Sequence, residues 1–513
     1  MIILLTLIII NLFCLRINLN ADTLFPYRYI EIIQSGNPFL LFIQPGSRIF
    51  PEWLYSYIAY FFTQEPIPWS RFVIAINTLM LVSSLHFFFT KLEFHPFEKG
   101  FWIAFMVLIL PVLYLVHQNV LIYFIFSPGV HGFYIPYMFF NLGAYFQFIN
   151  KNVLSRLLIV LIFISNSILV SSNLNFVIMA IAPIIAISFC LTTLGTIKLK
   201  QFLQVTGFGV MIIIAGLLIA AIFHNLFEQI HFTSNNFEYF KHDLVNWFKQ
   251  NDLLQDIHNR KTSGYWLEIT YLTIISSLWS IFTNSTRKLT PAIILNLFFL
   301  FGLFIFISVA WVIDKGSIRL MPQLILLSPF LLAFNIMSVF IASQKNHILF
   351  FSISFICVAA LSTFTFYSSN RPYIQHQFIH DKVNELKTKN IIKADGFSNY
   401  WIAHTNYEKN INILPLSSNL TPYIFATDAN KFWQFTQNKL KSQRSFDFII
   451  NDKRLNAQKW TFNESILINT LGQYDQVMNY QFKNRAYKIY IYNNEIKSNK
   501  LYKKLNNDLS GIN

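Results

Sequence analysis

The sequence predicts an α-helical polytopic membrane protein of about eleven transmembrane helices, followed by a small C-terminal α/β domain. Three observations carry this expectation. The 513 residues are 54% hydrophobic and only 12% charged, with a mean hydropathy of +0.45, whereas roughly a quarter of the residues of a soluble protein are charged. Apolar runs long enough to cross a bilayer recur as far as Tyr367. Beyond Arg371 the composition turns polar for about 140 residues, enough for a domain with its own core.

A spanning helix needs about 20 mostly apolar residues to cross roughly 30 Å of hydrocarbon. The runs of that kind are Ile2 to Leu19, Ser70 to Thr90, Gly100 to His117, Phe133 to Ile149, Leu157 to Val170, Phe176 to Thr193, Phe202 to Phe223, Tyr265 to Thr283, Ala292 to Ile313, Leu320 to Ala342 and Ile348 to Tyr367. The first lacks a basic leader, and Asn20-Ala21-Asp22 is a poor small-x-small cleavage site, so it reads as a retained helix. Cys14, Cys190 and Cys357 all lie in apolar runs and imply no disulfide framework.

Lys and Arg in short loops mark the cytoplasmic side. With the N-terminus inside, Lys91 and Lys99, Lys151 and Arg156, Lys198 and Lys200, Arg287 and Lys288, and Lys345 all fall in cytoplasmic loops. The segments 118–132 and 171–175 on the opposite side hold neither residue. An odd number of spans then leaves the C-terminal domain extracytoplasmic. Heavy use of Asn, Ile, Lys and Phe fits an AT-rich bacterial genome, and the expected location is the bacterial inner membrane with that domain in the periplasm.

Residues 1–370 thus form the membrane domain, with outer loops at 20–71 and 224–264. In the first loop Tyr27 to Gln34 and Glu52 to Phe62 suit short interfacial helices, rich in aromatic residues that favour the headgroup level. Residues 371–513 form the outer domain, with helices expected at His380 to Thr388 and Glu464 to Leu471, and strands at Ile411 to Leu416, Phe446 to Asn451 and Tyr487 to Tyr492. There, 20 Lys and Arg against 11 Asp and Glu give a net charge of +9, most of the +15 of the whole chain. Loop cations and a long exported domain account for that charge, so no nucleic-acid partner is implied.

No Walker loop, GxGxxG, HExxH, CxxC or GxSxG motif is present. What stands out is a single span, an outer loop opening with Asp22, the Pro-bounded segment Phe50-Pro51-Glu52-Trp53-Leu54-Tyr55-Ser56-Tyr57, and a helix near Arg71. This order resembles the GT-C superfamily of polytopic glycosyltransferases. Gly129-Val130-His131-Gly132, Ser171-Ser172-Asn173 leading to Pro183, Tyr400-Trp401-Ile402-Ala403 and Ile413-Leu414-Pro415-Leu416 resemble bacterial GT-C-like proteins with a C-terminal extracytoplasmic α/β domain. The chain departs from that pattern at Asn173, where an acid is expected, and at Asp22, where many members carry paired acids.

The resemblance implies transfer of a sugar from a polyprenyl-phosphate donor to a glycolipid, polysaccharide or protein acceptor on the outer face. Such chemistry needs a carboxylate to deprotonate or orient the acceptor and cations to stabilise the departing phosphate. Asp22 suits the first role, with Glu52 and Glu31 as weaker alternatives or helpers. Arg319, in Asp314-Lys315-Gly316-Ser317-Ile318-Arg319, can fork onto two phosphate oxygens; its structural alternative is an end-of-helix Arg paired with Asp314. His131 sits in a broken segment that suggests a cavity wall, and Arg28 faces the same side among the lipid headgroups. Asp22 with phosphate oxygens would suit Mg²⁺ or Mn²⁺, but no second carboxylate is placed beside it, so no cofactor is assigned. Two other readings compete: a lipid or polysaccharide transporter or flippase, and a non-catalytic GT-C-like scaffold.

Overall fold

The computed structural model describes residues 18–19, 26–27, 30, 51–52, 54–92, 94, 98–107, 131–151, 154–174, 176–227, 266–284, 291–312, 322–341, 373–374, 376–393, 395–398, 402, 413–415, 446–453, 462–482 and 485–492. These residues make a mostly helical chain that ends in a small mixed α/β domain. Two described helices are long and apolar enough to cross a membrane, Pro66–Lys91 and Leu199–Ile222, and five further apolar helices are shorter. Among the described residues that is fewer than the eleven expected; the predicted span Ile348 to Tyr367, residues 2–17 of the first span and residues 108–117 of the third lie outside the described residues.

After the two-residue strand β1 (Asn18–Leu19) come α1 (Leu54–Phe62) and α2 (Pro66–Lys91). The run predicted as a helix to Leu19 therefore ends in extended backbone at Asn18. Helix α2 begins before the predicted Ser70, because a proline in the first helical turn forfeits no hydrogen bond and has its φ already set. The predicted loop 20–71 is shortened accordingly. Residues 98–107 are helical, and α3 (Ile135–Lys151) follows a 3₁₀ turn, His131–Tyr134. Helix α4 (Arg156–Ser172) is capped by Ser155, whose hydroxyl accepts from Leu158 N at 3.2 Å.

The predicted span from Phe176 divides into a π turn, Val177–Ile181, and α5 (Ala182–Thr193). Helix α6 (Leu199–Phe227) continues past Phe223, so His224 to Phe227 are helical rather than the start of a loop. Then come α7 (Trp266–Asn284), α8 (Pro291–Val312) and α9 (Pro322–Ile341). Pro329 lies within α9, and Thr273 Oγ1 donates to the Ser328 carbonyl beside it at 2.9 Å.

Aromatic residues fill the middle of the bundle: Trp69, Trp102, Phe88, Phe89, Phe139, Phe298 and Phe330 are all buried. Small residues let helices close up. A Cβ on Gly143 would meet Phe88 Cα at 3.0 Å, and one on Gly216 would meet the Ser167 carbonyl at 2.9 Å. Polar residues also occur inside the bundle. Asn141 and Asn166 exchange amide bonds at 3.0 and 2.6 Å, and Asn296 and Asn335 do so at 3.1 and 2.9 Å. A pair that satisfies itself can be buried without stranding donors or acceptors.

The C-terminal domain opens with β2 (Tyr373–Ile374) and α10 (Gln377–Thr388), and continues with β3 (Asp395–Ser398), β4 (Ile413–Pro415), β5 (Phe446–Lys453), α11 (Glu464–Leu471), β6 (Gln476–Phe482) and β7 (Arg485–Ile491). Its five-stranded sheet runs β4-β3-β5-β7-β6. The β3 pairings with β4 and β5 are parallel, and β7 is antiparallel to β5 and β6. Strands β3 and β6 are additions to the sequence reading. One reason is visible in β6, where most side chains are exposed or half-buried and no apolar run announces it. Ile379, Val383 and Leu386, spaced on one face of α10, pack onto Phe448, Ile450, Tyr487 and Ile489 of the sheet.

Candidate functional site

The helix ends opposite the basic loops converge on a buried aromatic cluster. Trp69, in the first turn of α2, donates from Nε1 to the Ser56 carbonyl of α1 at 3.0 Å, which fixes the entry of α2 against α1. Tyr27 closes the same corner: its ring meets Trp69 edge-on with centroids 5.3 Å apart, and its hydroxyl donates to the Gln64 carbonyl at 2.5 Å. Tyr55 reaches the other way. Its hydroxyl lies 2.9 Å from that of Tyr137 on α3, and its ring packs on Phe133 of the 3₁₀ turn.

A second chain reversal joins this cluster. Asn173 caps α4 in an extended conformation with its N–H on the Leu169 carbonyl, and its own carbonyl receives the Phe176 N–H at 3.0 Å. The Phe176 ring then lies 6.2 Å from that of Tyr134. The π turn that starts at Val177 adds an irregular backbone of the kind often found at functional sites. Helix α9 also packs against the His131–Tyr134 turn, which brings the helix that follows Arg319 to this end of the bundle.

Of the predicted site residues, Glu52 is 2% exposed and precedes Tyr55 by three positions in the sequence. His131 opens the 3₁₀ turn His131–Tyr134, and the rest of its predicted broken segment, residues 127–130, lies outside the described residues. The structure thus brings the Glu52 and His131 segments together through Tyr55, Tyr137 and Phe133. Asp22, Arg28, Glu31 and Arg319 lie outside the described residues. Among the described residues no three His, Cys, Asp or Glu side chains gather as a metal site.

Two features escaped the sequence reading. The first is a link between the two ends of the described chain: β1 pairs in parallel with β2, Asn18 opposite Tyr373 and Leu19 opposite Ile374. The second lies just beyond β2. His376 is buried with a left-handed φ of 65°, and Arg485 Nη1 lies 3.2 Å from its Nδ1 and 3.1 Å from its Nε2. The Tyr487 hydroxyl lies 3.1 Å from the same Nδ1. Sequence spacing offers no signal for this cluster, because more than 100 residues separate His376 from β7.

No protein-family model matches the chain, and no curated protein matches it significantly in sequence. The resemblance to GT-C glycosyltransferases rests on the short motifs quoted above.

Proposed function

We propose that this protein is a bacterial inner-membrane glycosyltransferase of GT-C type, with about eleven spans and an extracytoplasmic C-terminal domain. It moves a sugar from a polyprenyl-phosphate donor to a glycolipid, polysaccharide or protein acceptor at the outer face. The observation that most supports this reading is the pairing of β1 with β2. It sets the chain three residues before Asp22 beside the first strand of the basic domain, as expected if the acidic loop and that domain share one side of the bilayer. The outward apolar side chains of α6 and α7, such as Met211, Leu218, Ile275 and Trp279, fit lipid contact.

In this mechanism an acceptor hydroxyl attacks the anomeric carbon while the bond from that carbon to the phosphate oxygen breaks. Its electron pair leaves with the polyprenyl phosphate. Asp22 takes the hydroxyl proton, Glu52 and Glu31 orient the acceptor, and Arg319, His131 and Arg28 hold the departing phosphate. The buried Asn pairs favour the transporter or flippase alternative, since polar groups inside a bundle often mark a pathway. Their amides are spent on each other, however, which suits helix association better than conduction.

The test is release of polyprenyl phosphate by the purified full chain given polyprenyl-phosphate sugars and a lipid acceptor. Asp22→Asn should lower turnover about 100-fold or more, the usual share of a general base. Full turnover by that variant would falsify the assignment. A reporter fused after Asn513 should be active only in the periplasm; activity confined to the cytoplasm overturns the orientation.

A further inference from the structure

A cavity of about 400 Å³ lies among α3, α4, the π turn, α5 and α6, away from the aromatic cluster. Its inner end is the Asn141–Asn166 pair, and Ile162, Ile184 and Ile212 line its buried depth. It reaches the surface at Ile159 and Gln204, both exposed, near the first turns of α4 and α6. Its lining on α3 runs from Asn141 to Phe148, and the rim cation Lys151, ten residues beyond Asn141, lies about 15 Å from the inner end along the helix at 1.5 Å per residue. That is close to the hydrocarbon depth of one leaflet, half of roughly 30 Å.

The charges around it have a single sign. From Gly100 to Phe227 the sequence holds four Lys or Arg residues and no Asp or Glu. All four, Lys151, Arg156, Lys198 and Lys200, sit at the mouth end of the cavity, and all are exposed. Lys151 is one turn beyond the lining residue Phe148, Arg156 one turn before Ile159, and Lys200 one turn before Gln204. At the inner end each Asn amide bonds the other and Asn141 Nδ2 also donates to the Tyr137 carbonyl at 2.7 Å, so the pair is uncharged and its polar atoms are turned mainly to each other. An occupant must therefore be anionic where it meets the rim and apolar where it is buried.

We infer that this cavity is a binding site for an anionic phospholipid of the basic-side leaflet, its phosphate held by Lys151, Arg156, Lys198 and Lys200 and one acyl chain reaching the Asn141–Asn166 pair. Such a ligand meets both demands at once. The inference rests on the membrane placement proposed above and not on sugar transfer. Loss of lipid binding would leave the transferase assay unchanged, and an inactive transferase would still bind.

The probe is phosphatidylglycerol with one pyrene-labelled acyl chain, added to the full chain in neutral detergent beside phosphatidylcholine of the same chains. Phosphatidylglycerol should bind at least about tenfold more tightly, as expected for several added charge contacts. Arg156→Gln with Lys200→Gln should bring it to the phosphatidylcholine level, and Ala144→Phe, which fills the cavity, should weaken both lipids. Glycerol phosphate at millimolar concentration should displace neither. Equal binding of the two lipids, an unchanged preference in the charge variant, or displacement by glycerol phosphate each overturns the inference. If Ala144→Phe does not fold, the charge variant decides alone, since both of its positions are exposed.

Discussion

Replacing Asn166 with Leu tests whether the buried amide pairs hold the bundle together. Leu has nearly the shape of Asn, so the substitution leaves little cavity and removes mainly hydrogen bonds. Two are lost: Asn141 Nδ2 to Asn166 Oδ1 at 3.0 Å and Asn166 Nδ2 to Asn141 Oδ1 at 2.6 Å. Asn141 keeps its bond to the Tyr137 carbonyl but leaves Oδ1 bare in a site 7% exposed. Interhelical hydrogen bonds in membrane proteins contribute from about 0.6 to 2 kcal/mol each, so the single variant should lose about 1–3 kcal/mol. Asn141→Leu should lose a similar amount. The double variant should lose little more than either, because two apolar side chains strand no polar atom. A double-mutant cycle by reversible unfolding in mixed micelles measures this coupling. Fully additive losses, or single losses below about 0.5 kcal/mol, refute the argument.

Other outcomes follow from the same contacts. Gly143→Ala should lower the melting temperature, because overpacking against Phe87 and Phe88 costs about 1–3 kcal/mol and outweighs a helix-propensity gain of about 1 kcal/mol; a rise would show that α2 and α3 separate freely. Tyr55→Phe should reduce transferase turnover and give no further loss when combined with Tyr137→Phe, since one hydroxyl contact joins the two; independent losses in turnover count against a shared role. In the C-terminal domain, Lys382 and Lys389 hold the Glu385 carboxyl at about 2, below its ordinary 4.5. Its contribution to stability is present above 4.5 and is lost as pH falls toward 2, and Lys382→Gln should move the carboxyl titration upward by NMR. Glu464 is also lowered, first by the Tyr474 hydroxyl at 2.6 Å and then by Lys488 and Tyr490, so Tyr474→Phe should shift its titration toward the ordinary value; an unmoved titration would mean that Tyr474 does not hold it.

Much of the architecture was legible because it depends on local pattern. Apolar length marked α4, α7 and α8 to within a few residues, and α11 spans the predicted Glu464 to Leu471. Helix starts were less legible where Pro or a 3₁₀ or π turn moved them, as at Pro66, His131 and Val177. Strand β6 was missed because its exposed side chains carry no apolar signal. At the candidate site, Glu52 and His131 were both chosen from sequence, and what only the structure adds is the packing of Tyr55 on Phe133 of the turn that His131 opens.

By itself, then, the sequence determined the chemical solvent each segment suits, the sign of each loop and the change to a polar domain near Arg371. Those properties are sums over neighbouring residues, and neighbours are given by the order of the chain. Only the tertiary structure decided that Asn18 meets Tyr373, that Asn141 meets Asn166, and that His376 meets Arg485. These contacts depend on which helix and strand faces pack together, and a residue's partner across such a contact leaves no periodic trace in the chain that carries it.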